Sequence, residues 1–592
     1  MLELIKNKIK TLNLNKIALI LIFVSSFLLG GENLYIKYFI IVFFFFIFIF
    51  KDTIKIKKYD WILYFFLLFV SVYNIIIKNY NSDLYNFIIL YFIFILIKNL
   101  NFDKYFFSNL LILSSILHGI IVFYQSLVLN KFRSPSTFVN PNWVVIWLFV
   151  GLYFLIYERN VLDNYKILKI PVSLLLILGS ILTLSRTTIV LFVLFAIYSI
   201  FYRKIFSNKL KLIFAILTVL VLLIPVLRFT QRGKSITFKR LKFYNAGINL
   251  FQKKPILGTG IKTVEDKIKT YYTGEKRKFS NYSKSPRMSH NLFLEVLIEM
   301  GLFGFLLILF IFYKYFKYSY IKFPLLIYFT SFLFNNLEKS FSLILLFLIL
   351  LSFNKLKFSQ RISIKREFKL IVFFIIISIF SFKLLSYIYI DFGNKAFNSK
   401  NYKKAYNYYK QSAEFTKYDP YYQNIYIKFL INLPKNDLIG ISWEERFYEI
   451  EKISTRLKKY DRFNSEVYDI YTFYCLKILR SDKFGKIKNE IWERGVKNIN
   501  MAINLNPKNP FYYYKKLYFY YIKKDYNEVK KLAEKAIEIE PYFLRAYKIL
   551  YEIEEDKDKK ERYKNIINKI KSIYNNRGKY NLNQYEKRLM QE

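Results

Sequence analysis

Residues 289–304 read Ser-His-Asn-Leu-Phe-Leu-Glu-Val-Leu-Ile-Glu-Met-Gly-Leu-Phe-Gly. A long basic loop ends here, and an apolar run begins that continues to residue 313. At ~1.5 Å per helical residue, such a run is long enough to cross the hydrocarbon core of a bilayer. His290, one of only two histidines in the chain, therefore stands where water meets lipid. The same change from lysine-rich break to apolar run recurs along the chain, and predicts spans over 17–31, 36–50, 59–77, 84–97, 105–129, 142–157, 168–185, 187–202, 211–227, 291–313, 322–338, 340–353 and 369–390. Several are short for a span, so an adjacent pair could instead be re-entrant.

With 592 residues and 54% hydrophobic content, the chain is too large and too apolar for one soluble domain. A net charge of +49 first suggests nucleic acid. However, Lys, Ile, Asn, Tyr and Phe are abundant throughout, and much of the basic excess falls in loops that would face anionic lipid, so no nucleic-acid partner is expected. The single Cys475 excludes an intrachain disulfide framework and a cysteine metal cluster. Met1–Gly30 has the basic and apolar regions of a signal peptide, but with so many spans behind it an uncleaved first helix is expected.

Lysine and arginine counts give the orientation. The N-terminus carries Lys6, Lys8, Lys10 and Lys16, and the loop after the second span carries Lys51, Lys55, Lys57 and Lys58. Later even-numbered loops are similarly basic, ending with Lys355, Lys357, Arg361, Lys365, Arg366 and Lys369 after the twelfth span. Odd-numbered loops are poorer. The N-terminus is thus expected in the cytoplasm, with the long loop 228–290 and everything from Asp391 onward outside. Long loops translocate largely regardless of charge, so the basic residues of 228–290 do not overturn this.

From Asp391 the composition turns soluble and amphipathic. A 34-residue period relates Gly495, Ala502, Leu505 and Pro507 to Val529, Ala536, Ile539 and Pro541. Small residues where paired helices cross, and a proline after the second helix, are marks of tetratricopeptide repeats. Gly393–Pro420 reads as a further copy whose proline comes three residues late. The expected fold is all-α: a polytopic transmembrane helix bundle of about 12–13 spans over 1–390, then a soluble α-solenoid of tetratricopeptide-like repeats over 391–592. The repeats read as a partner-binding or positioning module rather than a catalytic one.

Four patches on the expected outer face could carry chemistry. Arg133 opens a stretch ending Asn140-Pro141-Asn142. Arg186 closes Thr183-Leu184-Ser185-Arg186. Arg240 precedes Pro255-x-x-Gly258-x-Gly260. His290-Asn291 leads to Glu299-x-Gly301-x-x-Gly304. At these residues, over roughly 100–350, the chain resembles the O-antigen ligase and Wzy-type polymerase superfamily, some members of which carry repeat tails. One departure is Phe243-Tyr244 after Arg240, where relatives often have tryptophan.

The resemblance implies a metal-independent membrane enzyme without cofactor, in the bacterial cytoplasmic membrane. It would move a glycan from an undecaprenyl-diphosphate carrier to a hydroxyl of a lipid, glycan or protein acceptor on the outer face. The residue chemistry fits. Arginine forks match the diphosphate, which points to Arg133, Arg186 and Arg240 as its holders. A histidine titrating near ~6.5 suits deprotonation of a hydroxyl, which points to His290 as the base. Asn142, Asn291 and Glu338 are supporting candidates.

Each also has a plainer reading. Arg186 could be a snorkelling helix-end residue, Arg240 one of many solvated loop cations, and Glu338 a partner only of Lys339. His118, in mid-span, reads as a helix-packing hydrogen-bonder, and Asp556-Lys557-Asp558 as a solvated face. Ligase, polymerase and protein O-oligosaccharyltransferase share this donor chemistry and stay open. A polyprenyl-phosphate-sugar transferase would usually show an acidic pair in the first outer loop, where only Glu32 stands. A flippase would favour internal repeats and charges at mid-membrane, and neither is evident.

Overall fold

The computed structural model describes residues 14–28, 30, 34–51, 53–77, 83–100, 102–131, 133–199, 241–271, 291–333, 337, 340–356, 358–433, 441–480, 488–576, 582 and 584–590. A helix stands in every predicted span except 211–227, which lies outside the described residues. Among the described residues, four helices are long and apolar enough to cross a membrane: Lys58–Ile76, Lys104–Val128, Leu292–Lys317 and Arg366–Asn398. Shorter apolar helices, including Leu14–Ser26, Leu34–Ile49, Pro141–Tyr157, Arg186–Ile197 and Phe341–Ser352, pack among them.

The Pro141–Tyr157 helix is apolar on all sides, and every residue from Trp143 to Leu155 is buried. A helix with no polar face belongs at the centre of a bundle. Lys104–Phe123, Lys166–Leu182, Arg186–Ile197 and Lys322–Phe332 surround it. Gly151 makes the close approach possible, since a Cβ there would lie 2.1 Å from Ser115 Oγ. At the periphery, Arg366–Asn398 leaves Phe368, Ile371, Phe374, Ile375 and Phe382 exposed, as a lipid-facing helix does.

The side that the lysine counts assign to the cytoplasm holds two features absent from the sequence reading. Thr53–Lys57 pairs antiparallel with Phe358–Ser363, so two of the basic loops form a small sheet. Its cause is the alternation Thr-Ile-Lys-Ile-Lys, which has the period of a strand. Beside it Asp60 forms a fully buried ion pair with Lys98, and the Tyr315 hydroxyl also donates to Asp60. This cluster ties together the helices Lys58–Ile76, Asp83–Asn99 and Leu292–Lys317.

The C-terminal region is a stack of helical hairpins. The end of Arg366–Asn398 pairs with Tyr402–Phe415, Pro420–Asn432 with Trp443–Tyr460, and Ser465–Leu479 with Lys488–Leu505. Pro510–Ile522 then pairs with Tyr526–Ile539, and Leu544–Ile553 with Lys557–Asn575. The 34-residue period lands where paired helices meet. Ala502, Val529 and Ala536 are fully buried, and a Cβ on Gly495 would lie 2.2 Å from the Phe519 ring. Pro420 opens the next helix at its first position, capped by Asp419. The division expected between Ile390 and Asp391 falls inside one continuous helix, whose last turns are covered by Tyr402–Phe415. Asp556 caps the Lys557–Asn575 helix, accepting from the backbone N–H of Asp558 and Lys559.

Candidate functional site

Arg133 lies in a short connection held on several sides. Ser134 Oγ and Ser126 Oγ share a hydrogen bond of 2.7 Å, and Gln125 Nε2 donates to the Ser136 carbonyl at 2.8 Å. The Thr137 hydroxyl donates to the Ser26 carbonyl at 2.9 Å. Beneath the connection lies His118, fully buried and stacked on Phe27. One of its ring nitrogens bonds the Ser136 hydroxyl at 2.9 Å and the other the Ser26 hydroxyl at 2.8 Å. His118 is thus a hydrogen-bonder, but half of what it holds is the loop bearing Arg133.

The connection ends at Asn140, whose side chain caps the Pro141–Tyr157 helix by accepting from Asn142 N at 3.0 Å. The next arginine is placed in a similar way. Lys166–Leu182 stops at Thr183, and Leu184 turns the chain with a positive φ of 51°. Ser185 then caps a new helix whose first residue is Arg186. Leucine in this left-handed conformation costs about 1–2 kcal/mol, so the tight reversal is held by its surroundings. The Ser185 hydroxyl donates to Asn142 Oδ1 at 2.5 Å, which brings the two helix N-termini together. Burial, and after it the nearby positive charge of Arg186, lower the Arg133 pKa. Two guanidinium groups and two helix N-termini, each with partial positive charge, thus gather on one side of the bundle and suit an anion.

The second part of the site is a small platform, termed outer after the side to which the lysine counts assign it. A helix over 241–251 and the Val264–Tyr271 helix pack through Ala246, Leu250, Val264 and Ile268 onto Ile298 and Leu294. Between them the Pro255–Gly260 segment lies backbone to backbone against an interruption in the Leu292–Lys317 helix. Gly301 breaks that helix with φ 68°, and the Thr259 and Gly260 N–H groups donate to the Ile298 and Glu299 carbonyls at 2.8 and 3.0 Å. Leu302 N donates back to the Pro255 carbonyl at 2.8 Å. A Cβ on Gly301 would lie 2.1 Å from the Ile256 carbonyl oxygen, and one on Gly258 2.4 Å from Glu299. Glu299, read with the glycines as one motif, accepts from Val264 N at 3.4 Å and so joins this docking. Tyr73 and Asn74, which the sequence did not single out, hold the same loop. The Tyr73 hydroxyl donates to the Gly258 carbonyl at 2.8 Å, and Asn74 Oδ1 accepts from Ile261 N at 3.0 Å.

Of the predicted site residues, Arg133, Arg186 and Asn142 fall on one side of the bundle. Asn291 caps the Leu292–Lys317 helix by accepting from Leu294 N at 3.1 Å. Arg240, His290 and Glu338 lie outside the described residues, although Arg240 and His290 immediately precede the platform's 241–251 helix and the Asn291 cap.

Residues 171–309 match the family model for O-antigen ligase. The chain thus carries an O-antigen ligase domain within a membrane protein. That domain contains Arg186, Arg240, the platform and His290, whereas Arg133, Asn142 and the hairpin stack lie outside the matched stretch. A solved structure described as the crystal structure of MamA protein is similar at 20% identity over 34% of this chain and 97% of that one, with a TM-score of 0.23. No curated protein matches the chain.

Proposed function

We propose that the chain is a glycosyltransferase of the bacterial cytoplasmic membrane, moving a glycan from an undecaprenyl-diphosphate carrier to an acceptor hydroxyl on the outer face. The observation that carries this reading is that Arg186, inside the O-antigen ligase domain, opens a helix whose cap is bonded to Asn142, with its charge bearing on Arg133. In this reading Arg133, Arg186 and Arg240 neutralise the diphosphate and ease its departure. His290 takes the proton of the acceptor hydroxyl as its oxygen attacks the anomeric carbon. The new glycosidic bond forms, the sugar–phosphate bond breaks, and its electron pair leaves on the lipid diphosphate with inversion. Asn142 and Asn291 support the arginines and the base. Glu338 is a further supporting candidate. The N-terminus is cytoplasmic, residues 1–390 form the catalytic membrane part with its outer loop 228–290, and residues 391–592 form the extracytoplasmic repeat part.

The test is single-turnover transfer from a lipid-linked glycan by purified protein, with and without chelator. His290→Ala should lower the rate by ~10²–10⁴-fold, the usual contribution of a general base. Undiminished transfer by that variant would remove His290 from the mechanism, and loss of wild-type activity in chelator would overturn metal independence. Ligase is the first reading of the acceptor step, with polymerase and protein glycosylation as alternatives. Surface polysaccharide from cells lacking the protein separates them: loss of long chains on the lipid core means ligase, and single repeats left on the core mean polymerase.

A further inference from the structure

The outer platform is gripped from a third direction, by the hairpin stack. Lys267, on the Val264–Tyr271 helix, donates to the Thr259 carbonyl at 2.9 Å. The same ammonium lies 4.0 Å from the centre of the Phe463 ring, in the turn between Trp443–Tyr460 and Ser465–Leu479. Next to Phe463, Arg462 Nη2 donates at 2.6 Å to the carbonyl of Ile77, the C-cap of Lys58–Ile76. That helix end is the one whose Tyr73 and Asn74 hold Gly258 and Ile261. The next turn of the stack adds a contact, with Thr270 Oγ1 donating to the Leu505 carbonyl at 3.0 Å.

These contacts come from successive turns on one edge of the stack, and they converge on the loop docked against Gly301. The turn bearing them is itself held. Asn464 Nδ2 donates to Asp461 at 3.0 Å, and the Tyr468 hydroxyl donates to the Arg462 carbonyl at 3.2 Å. A guanidinium on a helix C-terminal carbonyl and an ammonium over an aromatic ring are both directional, charge-assisted contacts. A tail merely tethered by the Arg366–Asn398 helix would need neither.

We propose that Arg462 and Phe463 are positioning residues. They latch the repeat region onto the 259–271 segment and so fix the platform of the O-antigen ligase domain in place for transfer. The tail is then part of the working enzyme's frame. The functional half of this inference rests on the transferase reading given above.

The test uses full-length protein with Phe463→Ala, Phe463→Tyr and Lys267→Met. Amide hydrogen exchange over 256–271 reports the contact, and single-turnover transfer at matched protein level reports its use. Phe463→Ala should speed exchange there and slow transfer on the order of 10–100-fold, as small misplacements of reacting groups do. Phe463→Tyr keeps the ring and should restore both. Lys267→Met breaks the contact from the other side, so a matching loss excludes unfolding of the tail as the cause. Combined with Phe463→Ala, it should add no more than the loss of its own bond to the Thr259 carbonyl. Unchanged exchange overturns the latch, and faster exchange with full transfer overturns its role in the reaction. Wild-type protein inactive on lipid-linked glycans overturns the transferase reading instead, and the exchange result still decides the contact.

Discussion

Arg133 and Arg186 bring like charges near one another at the exposed rim of the bundle, and an anion between them would offset that repulsion. Arg186 is the more constrained, being the first residue of a helix whose cap is bonded to Asn142. Arg186→Ala should therefore cut single-turnover transfer on the order of 10²-fold, the scale for losing one preorganised charge-stabilising donor. Arg186→Lys restores charge but not the planar fork and should recover only part. Arg133→Ala should be milder, because Lys131 stands beside it. Full transfer by Arg186→Ala would remove that arginine from the reaction. Ser185 was legible in sequence only as part of the Thr183–Arg186 patch. Its bond to Asn142 was not, because the two residues are 43 apart and nothing local encodes their meeting.

At the scale of elements, both ends of the bundle are fixed by contacts between distant helices. On the outer side the glycines let two backbones touch. Gly301→Ala would place a Cβ 2.1 Å from the Ile256 carbonyl oxygen at a φ that disfavours side chains. The variant should accumulate with faster hydrogen exchange over 255–261 and reduced transfer, whereas Gly304→Ala, at a helical position, should be the weaker of the two. Equal behaviour of the pair would refute the backbone-docking role. On the opposite side, Asp60→Asn leaves Lys98 buried without its carboxylate and should cost about 3–5 kcal/mol in thermal stability. Replacing both, Asp60→Leu with Lys98→Met, should recover most of that loss. A double variant as unstable as the single one would show that the ion pair itself, not the orphaned lysine, carries the stability. The helices were legible because apolar runs and their lysine breaks are local signals. The Gly301 interruption was not, since a glycine in an apolar helix usually just continues it, and only docking against Pro255–Gly260 gives the break its purpose.

For the whole molecule, the question is whether the repeat region is cargo or framework. The 34-residue period revealed the hairpins, because small residues at helix crossings repeat with the packing they permit. It could not reveal that the stack lies on the outer platform, since Arg462 and Phe463 belong to a turn and not to the period. Sequence alone therefore leaves the tail detachable, while the latch argues that it is not. Ending the chain after Tyr418 retains the hairpin that covers Ile390 and Gly393 but removes Arg462, Phe463 and Leu505. The truncated protein should still insert and accumulate, because the membrane core draws its buried residues from 18–380 and none from beyond. Its transfer should nonetheless fall to the level of Phe463→Ala in the full-length chain, with the same faster exchange over 256–271. A truncated protein that transfers at the wild-type rate would make the tail a separate recognition module. One that fails to accumulate would mean that the stack stabilises the membrane part as a whole.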